Sequence, residues 1–542
     1  MTPDTLTAQA LLNCLIREVA GPAHQVREDG GYLLIHLPRT GIRLRARRAR
    51  PSAGLAPRLD GTADERRNDR WRPLRWRRLA TLTARELTLA SGRANPEFTL
   101  QVADSHAAIA AILAVEKDRP PERDPLTRYL RSEQSLAAGH RFHPAPKARP
   151  GAPGDWLPYA PEAGARFPLR FLAVREELLA DVGDAAQLDR LGAPEAPPGY
   201  RILPAHPWQL RLLADEPWLR HARSTGLVTD LGPGERPVVP TSSVRTVYDP
   251  AADVFAKFSL QVRLTNCVRV SAWYELAGSV ELTRLLAPVL DGLQARYPGA
   301  VLLTEPGYRT VMASDKRCYE GLAVIVRDGL AARLDPGVTP LLAASLTEPG
   351  TEWPGPATAG WWDNYLRLVV PPVLELLVTH GVALEPHLQN VVIGVDAEGL
   401  PKQVFFRDLE GAKLVSDAHA SLLADLAPGV ATGLRYDRDR AWRRVLYCLL
   451  VNHLDQLAAA LADRCPNPHA TEAELWDMLR ETLAKCSADL GGPSPLRAIA
   501  EGGPLPAKAN LRVRWTRAAD READYLPLPA PWGRRPAPGG RW

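Results

Sequence analysis

The sequence lacks the features that define several protein classes. The cysteines are widely scattered and form no CxxC pair, which predicts reduced, packed thiols rather than a zinc site or a disulfide framework. We find no apolar run long enough to span a bilayer. The N-terminal segment carries Asp4 before its apolar stretch and lacks the basic region of a signal peptide, so it is read as an amphipathic helix. These absences predict a cytoplasmic protein with no membrane partner.

Three catalytic or nucleotide-binding motifs are also missing. There is no GxxxxGK[ST] loop, no GxGxxG opening a helix, and no GxSxG around a serine. Because glycine-rich loops bind phosphate through backbone N–H groups, any phosphate site in this chain must be built from side chains. Because the GxSxG motif is absent, a serine hydrolase is a poor alternative.

The composition is that of a soluble globular protein. The chain has 542 residues, which predicts two to four domains, with 45% hydrophobic and 24% charged residues and a net charge of +5. Much of the basic excess lies in RLRARRAR (Arg43 to Arg50) and RWRPLRWRRL (Arg70 to Leu79). Interleaved Arg and Trp can bind a nucleic-acid backbone. Since no nucleic-acid motif accompanies the charge, we favour a solvated surface and predict no nucleic-acid partner.

The first part of the chain, residues 1–130, is predicted to form a mixed α/β domain. GYLLIHLP (Gly31 to Pro38) and FTLQVAD (Phe98 to Asp104) have the pattern of strands. SHAAIAAILAVEKD is predicted to be a helix that begins with Ser105 as its N-cap. The charged, proline-rich segment from Lys117 to Pro125 is the predicted boundary.

Residues 131–330 are predicted to be rich in strands and residues 331–530 in helices. KFSLQVRLT (Lys257 to Thr265) alternates apolar and polar residues, which indicates a strand with one solvent-exposed face. Asp363 to Gly381 has a helical period that its proline pair is expected to kink or restart, and Arg440 to Arg464 is predicted to be a long buried helix. Residues 531–542, rich in Pro and Gly, are predicted to be a disordered tail.

One constellation of polar residues surrounds LEPHLQNVVI (Leu384 to Ile393). The apolar strand VVIGV, the turn DAEG and the returning strand KQVFF predict a hairpin that brings Asn390 close to Asp408. With Glu385 just upstream, these are the hard oxygen ligands that Mg²⁺ takes beside nucleotide phosphates, and kinase-type sites use a similar arrangement. The alternative is that Asn390 and Asp408 only cap turns. The clustering of polar residues at both ends of the hairpin favours a functional site.

A second constellation is PTSSVRTV (Pro240 to Val247), followed by Lys257 and Arg269. Hydroxyl groups, a guanidinium and an ammonium are what an anionic group needs. If the chain turns between residues 247 and 257, Arg245 and Lys257 face the same space. The alternative is an ordinary polar sheet face.

A third constellation is the loop EQSLAAGHRFHPAPKARPG (Glu133 to Gly151). Its two histidines suggest zinc only if a third ligand exists, and the cationic neighbours disfavour a metal. An anion site suits His140, Lys147 and Arg149 better. An exposed basic loop is the alternative.

Taken together, these segments resemble the nonribosomal-peptide-synthetase-independent siderophore synthetases, the aerobactin synthetase family. The similarity covers residues from about 130 to 515, in the order GHxxHPxxKxR, SSVRT, KFSLQVRLTNCVR, EPHLQN, RDLEG and PAKANLRVR. One departure is Arg141, where many members have proline after the first histidine. The chain also lacks the cysteine cluster of a ferric-siderophore reductase, so no fused reductase is expected.

The resemblance implies that the protein condenses a carboxylate with an amine or alcohol. Citrate is the favoured carboxylate. The reaction uses ATP and Mg²⁺ and passes through an acyl-adenylate. The resemblance assigns residues to overlapping groups. The nucleotide group is His140, Ser243, Arg245, Thr246, Lys257, Gln389, Asn390 and Asp408. The metal group is Glu385, Asn390 and Asp408. The carboxylate group is Thr265, Arg269, His387 and Lys508, and the catalytic residues are Arg269, His387 and Lys257.

The resemblance also implies an α+β fold shaped as a cupped hand, with a thumb (1–130), strand-rich fingers (131–330) and a helical palm (331–530), in a homodimer. Three alternatives stay open. The same chemistry could act on a citrate monoamide or 2-oxoglutarate. A kinase-like phosphotransferase would release ADP rather than AMP and pyrophosphate. A non-catalytic citrate- or siderophore-binding protein would release none of these products.

Overall fold

The computed structural model describes residues 1–115, 124–265, 267–519 and 523–533 of this mixed α/β protein. Most of the predicted boundary at residues 117–125 and of the predicted tail at 531–542 lies outside these ranges. The N-terminal region is a five-stranded antiparallel meander with helices packed on it. Its strands are β1 (Val26–Asp29), β2 (Tyr32–His36), β3 (Arg43–Arg50), β4 (Arg58–Arg67) and β5 (Arg70–Pro73). Its helices are α1 (Pro3–Leu15), α2 (Trp76–Ser91) and α3 (Glu97–Ala114). Helix α4 (Pro125–Glu133) follows them and packs through Tyr129 and Leu130 into a separate core.

The strand predicted at Phe98 to Asp104 is wrong, because this segment lies inside α3. Phe98, Val102 and Ile109 are buried at helical spacing, whereas Leu100 is 65% exposed, so the short alternation of apolar residues was misleading. Ser105 is therefore not an N-cap. It is buried within the helix, and its Oγ accepts a hydrogen bond from the backbone N–H of Lys147 at 3.0 Å.

The middle region is built on an eight-stranded sheet with the order β7-β15-β16-β11-β10-β9-β6-β8. Strands β12 and β13 form a separate pair, and β14 joins another sheet. The strands are β6 (Phe167–Arg175), β7 (Leu179–Gly183), β8 (Tyr200–Ala205), β9 (Val228–Pro240), β10 (Thr246–Asp249), β11 (Val254–Phe258), β12 (Leu260–Leu264), β13 (Cys267–Arg269), β14 (Ala300–Leu302), β15 (Gly307–Val311) and β16 (Val324–Asp328). The helices are α5 (Pro153–Trp156), α6 (Pro207–Leu212), α7 (Pro217–Ser224), α8 (Trp273–Arg296) and α9 (Lys316–Gly321).

The predicted strand from Lys257 to Thr265 is divided at Ser259 between β11 and β12. The apolar face is confirmed, since Phe258, Leu260, Val262 and Leu264 are all buried. The opposite face is not uniformly wet. Lys257 is only 2% exposed and Ser259 only 1%, because β11 lies in the interior of the large sheet between β10 and β16.

Helices dominate the C-terminal region, as predicted. The helices are α10 (Ala359–Val378), α11 (Ala420–Asp425), α12 (Pro428–Leu434), α13 (Arg438–Leu446), α14 (Asp455–Ala462), α15 (Pro468–Asp489), α16 (Ser494–Ala500) and α17 (Asn510–Thr516). The strands are β17 (Thr339–Leu342), β18 (Val382–Ala383), β19 (Val391–Val395), β20 (Pro401–Phe406), β21 (Lys413–Val415), β22 (Arg435–Tyr436), β23 (Leu505–Lys508) and β24 (Tyr525–Leu528). Helix α10 continues through Pro371 and Pro372 without restarting.

The predicted hairpin is confirmed as β19 and β20, which pair antiparallel within the sheet β14-β20-β19-β17. The long buried helix is also confirmed. Helices α13 and α14 run on through a π-helical segment, Tyr447–Leu454, as one helix from Arg438 to Ala462. The sequence was expected to contain no apolar run that could span a bilayer, yet this helix is apolar and long enough to cross a membrane. However, 94% of its most apolar window is buried inside the protein. It is therefore the core helix of this region.

The hydrophobic cores join segments that are distant in the chain. Leu282, Leu286 and Leu293 of α8 pack in the core of the helical region, although they precede the predicted boundary at residue 330. Leu511 and Trp515 of α17 pack into the N-terminal core. Helix α17 is thereby held against the N-terminal region.

Candidate functional site

A cavity of about 340 Å³ lies where the large sheet, the β19/β20 hairpin and the core helix meet. Every site residue predicted from the sequence lines it. They are His140, Ser243, Arg245, Thr246, Lys257, Thr265, Arg269, Glu385, His387, Gln389, Asn390, Asp408 and Lys508. The fold therefore assembles three sequence-distant constellations into one site.

The backbone is strained at three positions on the cavity wall. Val244, Thr265 and Asp408 have φ values of 69°, 56° and 80°. Positive φ in a non-glycine residue, above all in a β-branched one, costs about 1–3 kcal/mol and persists only where the surroundings enforce it. Such strain is typical of functional sites.

The turn that joins β9 to β10 presents Arg245 to the cavity. Thr246 donates its backbone N–H to Oγ of Ser243 at 3.2 Å, and Thr241 donates its hydroxyl to the Thr246 carbonyl at 2.9 Å. The Arg245 guanidinium then reaches Oγ of Ser271 at 2.8 Å and Glu410 at 2.9 Å. The chain does turn between residues 247 and 257, and Thr246 pairs with Lys257 across the β10/β11 hairpin.

Lys257 lies at the centre of a buried ionic cluster. Its Nζ lies 2.8 Å from Glu410 and 3.4 Å from Glu305, and it also forms an ion pair with Asp408. Arg327 bridges Glu305 at 2.6 Å and Asp408 at 3.2 Å. With Arg245, the cluster has three cations and three carboxylates, so its charges balance.

All members of this cluster whose pKa is shifted keep their charge at neutral pH. Burial alone would raise the pKa of Glu410, but Arg245 and Lys257 outweigh it and lower that pKa to about 2. In the same way, Lys257 and Arg327 hold the pKa of Asp408 well below its usual range despite burial. The pKa of Lys257 is raised, because three carboxylates overcome the effect of its burial. The cluster is therefore a fixed set of charges.

Arg269 and His387 face the cavity without a carboxylate partner among the described residues. The Arg269 guanidinium donates to Oγ1 of Thr265 at 3.0 Å and to the carbonyl of Leu264 at 3.3 Å. Burial lowers the pKa of His387, although Glu385 and Asp408 oppose the shift, so its imidazole is neutral at pH 7. Lys508, at the end of β23, also lines the cavity.

The residues predicted to hold a metal make contacts of their own. Glu385 forms an ion pair with Arg444 at 2.5 Å, and Asn390 donates its amide to the Glu385 carbonyl at 3.2 Å. Asp408 pairs with Lys257 and Arg327. The described part of the chain contains no group of three His, Cys, Asp or Glu side chains positioned around one metal. A metal here would take most of its ligands from a substrate and water, as Mg²⁺ commonly does.

The basic loop is buried rather than exposed. Lys147 and Arg149 are 5% and 9% exposed, and both pair with the buried Glu162, so two cations share one carboxylate. Burial, together with the positive charge of Arg17 and Lys508, lowers the pKa of His140 to about 3. His140 is therefore neutral. Its Nδ1 accepts the backbone N–H of Phe142 at 3.1 Å.

A buried ion pair holds the cavity walls in register. Arg407 pairs with Glu133 of α4, and its guanidinium also donates to the carbonyl of Gln389 at 2.7 Å. Glu133 in turn accepts the backbone N–H of Ser242 at 3.0 Å. Gln389 donates its amide to the Ser242 carbonyl at 2.8 Å. This network connects the β9–β10 turn to the hairpin.

Sequence reasoning missed several residues of the site. Glu305 and Arg327 had no recognisable local signal, because their roles depend on contacts between sheets. Glu410 lies in the RDLEG motif, but no role was assigned to it. The core helix did carry a local signal. Arg444, Cys448, Asn452 and Gln456 recur every four residues in a mainly apolar segment, and all four line the cavity. The π-helical segment Tyr447–Leu454 lies in the middle of this stripe, and such segments often occur at functional sites.

Comparison with known proteins finds related sequences over most of the chain. A family model described as IucA / IucC family matches residues 128–348, and one described as Ferric iron reductase FhuF-like transporter matches residues 359–523. The L-2,3-diaminopropanoate–citrate ligase of Staphylococcus aureus is 31% identical over 66% of this chain and 66% of its own length. The rhizobactin siderophore biosynthesis protein RhbC of Rhizobium meliloti is 30% identical over 72% of each.

Solved structures share the fold. The ATP-bound aerobactin synthetase IucA of Klebsiella pneumoniae superposes with a TM-score of 0.84 at 24% identity, covering 98% of this chain and 100% of that one. The aerobactin synthetase IucC from the same organism superposes with a TM-score of 0.75 at 20% identity, covering 98% and 97%. These similarities establish the architecture of the chain.

Proposed function

Because this chain belongs to the IucA / IucC family, we propose that it is a siderophore synthetase that condenses citrate with an amine. It is a ligase that forms amide bonds and uses ATP. The observation that carries the proposal is that one cavity combines a balanced, buried ionic cluster with the neutral His387 and with Arg269, whose guanidinium has no carboxylate partner among the described residues. The named relatives include citrate ligases, which supports citrate as the acid.

We assign the ionic cluster to the triphosphate of ATP. Arg245 and Lys257, with Ser243, Thr246, His140 and Gln389 around them, offer cations and hydrogen-bond donors. Since three carboxylates already balance the cations of the cluster, a triphosphate needs further positive charge there. Asp408, with Asn390 and Glu385, would hold Mg²⁺. The ion would neutralise charge on the phosphates.

We assign the opposite wall to the acid substrate. Arg269, Thr265, His387 and Lys508 would bind its carboxylates, because a guanidinium and an ammonium suit a polyanion such as citrate. One carboxylate oxygen attacks the α-phosphorus of ATP and the bond to pyrophosphate breaks, which gives an acyl-adenylate. The amine nitrogen then attacks the acyl carbon, loses a proton, and AMP leaves. Arg269 and Lys257 offset the charge that develops on the phosphoryl oxygens.

We further propose the cupped-hand arrangement of thumb, fingers and palm, the predicted boundaries at residues 130 and 330, a homodimer and a cytoplasmic location. The homodimer rests on the family resemblance and can be tested by light scattering. Residues 359–523 match the model of a ferric iron reductase FhuF-like transporter, so iron reduction is a second candidate activity. The cysteines of this range, Cys448, Cys465 and Cys486, are separate free thiols, so we do not extend the proposal to iron reduction.

A product analysis tests the proposed function. Purified protein is mixed with ATP, Mg²⁺ and hydroxylamine, and with citrate, 2-oxoglutarate, succinate or a citrate monoamide in turn. We expect AMP, pyrophosphate and a hydroxamate, with citrate the best acid. Release of ADP would instead indicate a phosphotransferase. No pyrophosphate with any of these acids would indicate a binding protein without catalytic activity.

A further inference from the structure

The carboxylates that line the cavity differ in how they are compensated. Glu385 is paired with Arg444, and Asp408 with Lys257 and Arg327. Glu348 is different. Within the described ranges no Lys, Arg or His nitrogen lies within 4.0 Å of its carboxylate, and the only hydrogen bond of that carboxylate is the one it accepts from the backbone N–H of Ala138 at 3.2 Å. Glu348 is therefore a carboxylate with capacity for a cationic partner.

The guanidinium groups of the cavity show a similar division. Most of them are neutralised by a carboxylate, namely Arg149 by Glu162, Arg245 by Glu410, Arg327 by Glu305, Arg407 by Glu133 and Arg444 by Glu385. Arg269 and Arg141 are not, as far as the described residues extend. Arg269 is already assigned to the acid substrate. Arg141 donates only to the backbone carbonyl of Thr347, the residue next to Glu348.

Arg141 and Glu348 therefore form a pair of opposite charges on one wall that do not bond each other. Burial and the nearby Arg58 lower the pKa of Arg141 to about 10, while Glu348 acts to raise it. Burial raises the pKa of Glu348, while Lys147 and Arg141 act to lower it. Both groups are partly shielded from solvent and have no charged partner among the described residues, so a ligand that brings the opposite charges would be favoured there.

We propose that Arg141 and Glu348 bind the acceptor of the condensation, and that this acceptor is a diamino acid. Arg141 binds its carboxylate, Glu348 binds its non-reacting ammonium, and the second amine is left to attack the activated acid. Asn452 and Gln456 line the same cavity and offer amides to the acceptor. This inference rests on the proposed function and specifies its second substrate.

The test compares three acceptors that differ by one group each. Diaminopropanoate carries both charged groups, diaminoethane lacks the carboxylate, and β-alanine lacks the second amine. A parallel series starts from ornithine. We expect the unmodified protein to prefer the diamino acid in at least one series, by tenfold or more in kcat/KM over each truncated form, since a charge-assisted contact contributes about 1.5–3 kcal/mol.

Variants assign each preference to one side chain. Arg141→Gln should reduce the preference for the carboxylate and leave the preference for the second amine, and Glu348→Gln should do the reverse. Arg141→Lys should restore part of the first preference. Arg58→Gln is the matched control, because it removes a neighbouring positive charge that pairs with Asp463 outside the cavity, and both ratios should persist.

The inference is overturned if the unmodified protein uses the truncated acceptors as well as the diamino acid in both series, or if the ratios persist in Arg141→Gln and Glu348→Gln. If Arg141 had only a structural role, Arg141→Gln would lower kcat/KM for all three acceptors together and keep their ratios. That result would also overturn the inference. Hydroxylamine-supported pyrophosphate release reports on the proposed function separately. If that reaction is absent, titration calorimetry with the same three acceptors still measures both ratios as dissociation constants.

Discussion

Nζ of Lys257 lies 2.8 Å from Oε2 of Glu410, although Lys257 belongs to β11 in the large sheet and Glu410 follows β20 in another. This contact, with those of Lys257 to Glu305 and Asp408, ties two sheets together at the floor of the cavity. The geometry of the site and the stability of the fold therefore both depend on the side chain of Lys257.

Replacing Lys257 by Met should affect both properties. The variant leaves the three buried carboxylates with only two cationic partners, Arg245 and Arg327, so we expect the free energy of unfolding in urea to fall by about 3 kcal/mol. Pyrophosphate release should fall at least a hundredfold, about 3 kcal/mol of lost transition-state stabilisation. Lys257→Arg keeps the charge and should retain most of the stability. A Met variant as stable as the unmodified protein would contradict the role of this ion pair.

Arg269→Ala and His387→Ala should behave differently from Lys257→Met. Neither side chain forms an ion pair within the described part of the chain, so their removal leaves no buried charge and the unfolding transition should stay unchanged. Adenylation, measured as hydroxylamine-dependent pyrophosphate release, should fall by two orders of magnitude or more. Arg284→Ala, an exposed arginine on α8 that pairs with Glu281, is the control. Near-normal turnover in both cavity variants would refute the assignment.

Asp408→Asn should weaken the use of Mg²⁺–ATP. The amide removes a negative charge that Mg²⁺ favours, so half-maximal activity should require at least tenfold more Mg²⁺. Removal of Mg²⁺ with EDTA should abolish activity of the unmodified protein. Asp396→Asn, at the far turn of the same hairpin, should show the normal dependence. An unchanged Mg²⁺ requirement in Asp408→Asn would count against its role as a ligand.

Asp455, next to Gln456 in the core helix, should impose an unusual pH dependence on stability. Burial raises its pKa from 3.8 to about 6, even though the backbone N–H of Leu55 opposes the shift. A raised folded pKa stabilises the protein fully below pH 3.8, and this contribution is lost as the pH rises through about 6.

Asp455→Asn removes this titration and keeps an oxygen for Leu55. We expect the stability of the variant relative to the unmodified protein to increase by up to about 3 kcal/mol between pH 4 and pH 7. Urea unfolding across this range measures the change. Parallel pH profiles of the two proteins would show that Asp455 does not titrate there.

Local pattern was sufficient where one element carries its own signal. The β19/β20 hairpin, the core helix and the buried face of β12 were all predicted, because their apolar periodicities are complete within a few residues. The segment from Phe98 to Asp104 was mispredicted, since a few alternating residues do not distinguish a strand from the first turns of a helix. Only a longer window, reaching Ile109 and Ile112, reveals the helical spacing.

The sequence by itself determined the chemistry of the site. It contains hydroxyl, cationic and oxygen-bearing side chains in ordered motifs, and all of those assigned to the site line one cavity. Only the tertiary structure decided which charges are compensated. Glu305, Asp408 and Glu410 neutralise Lys257, Arg327 and Arg245, whereas Arg141 and Glu348 have no charged partner in the described chain. Charge compensation depends on distances of a few ångströms between residues from different sheets, and no local periodicity encodes such distances.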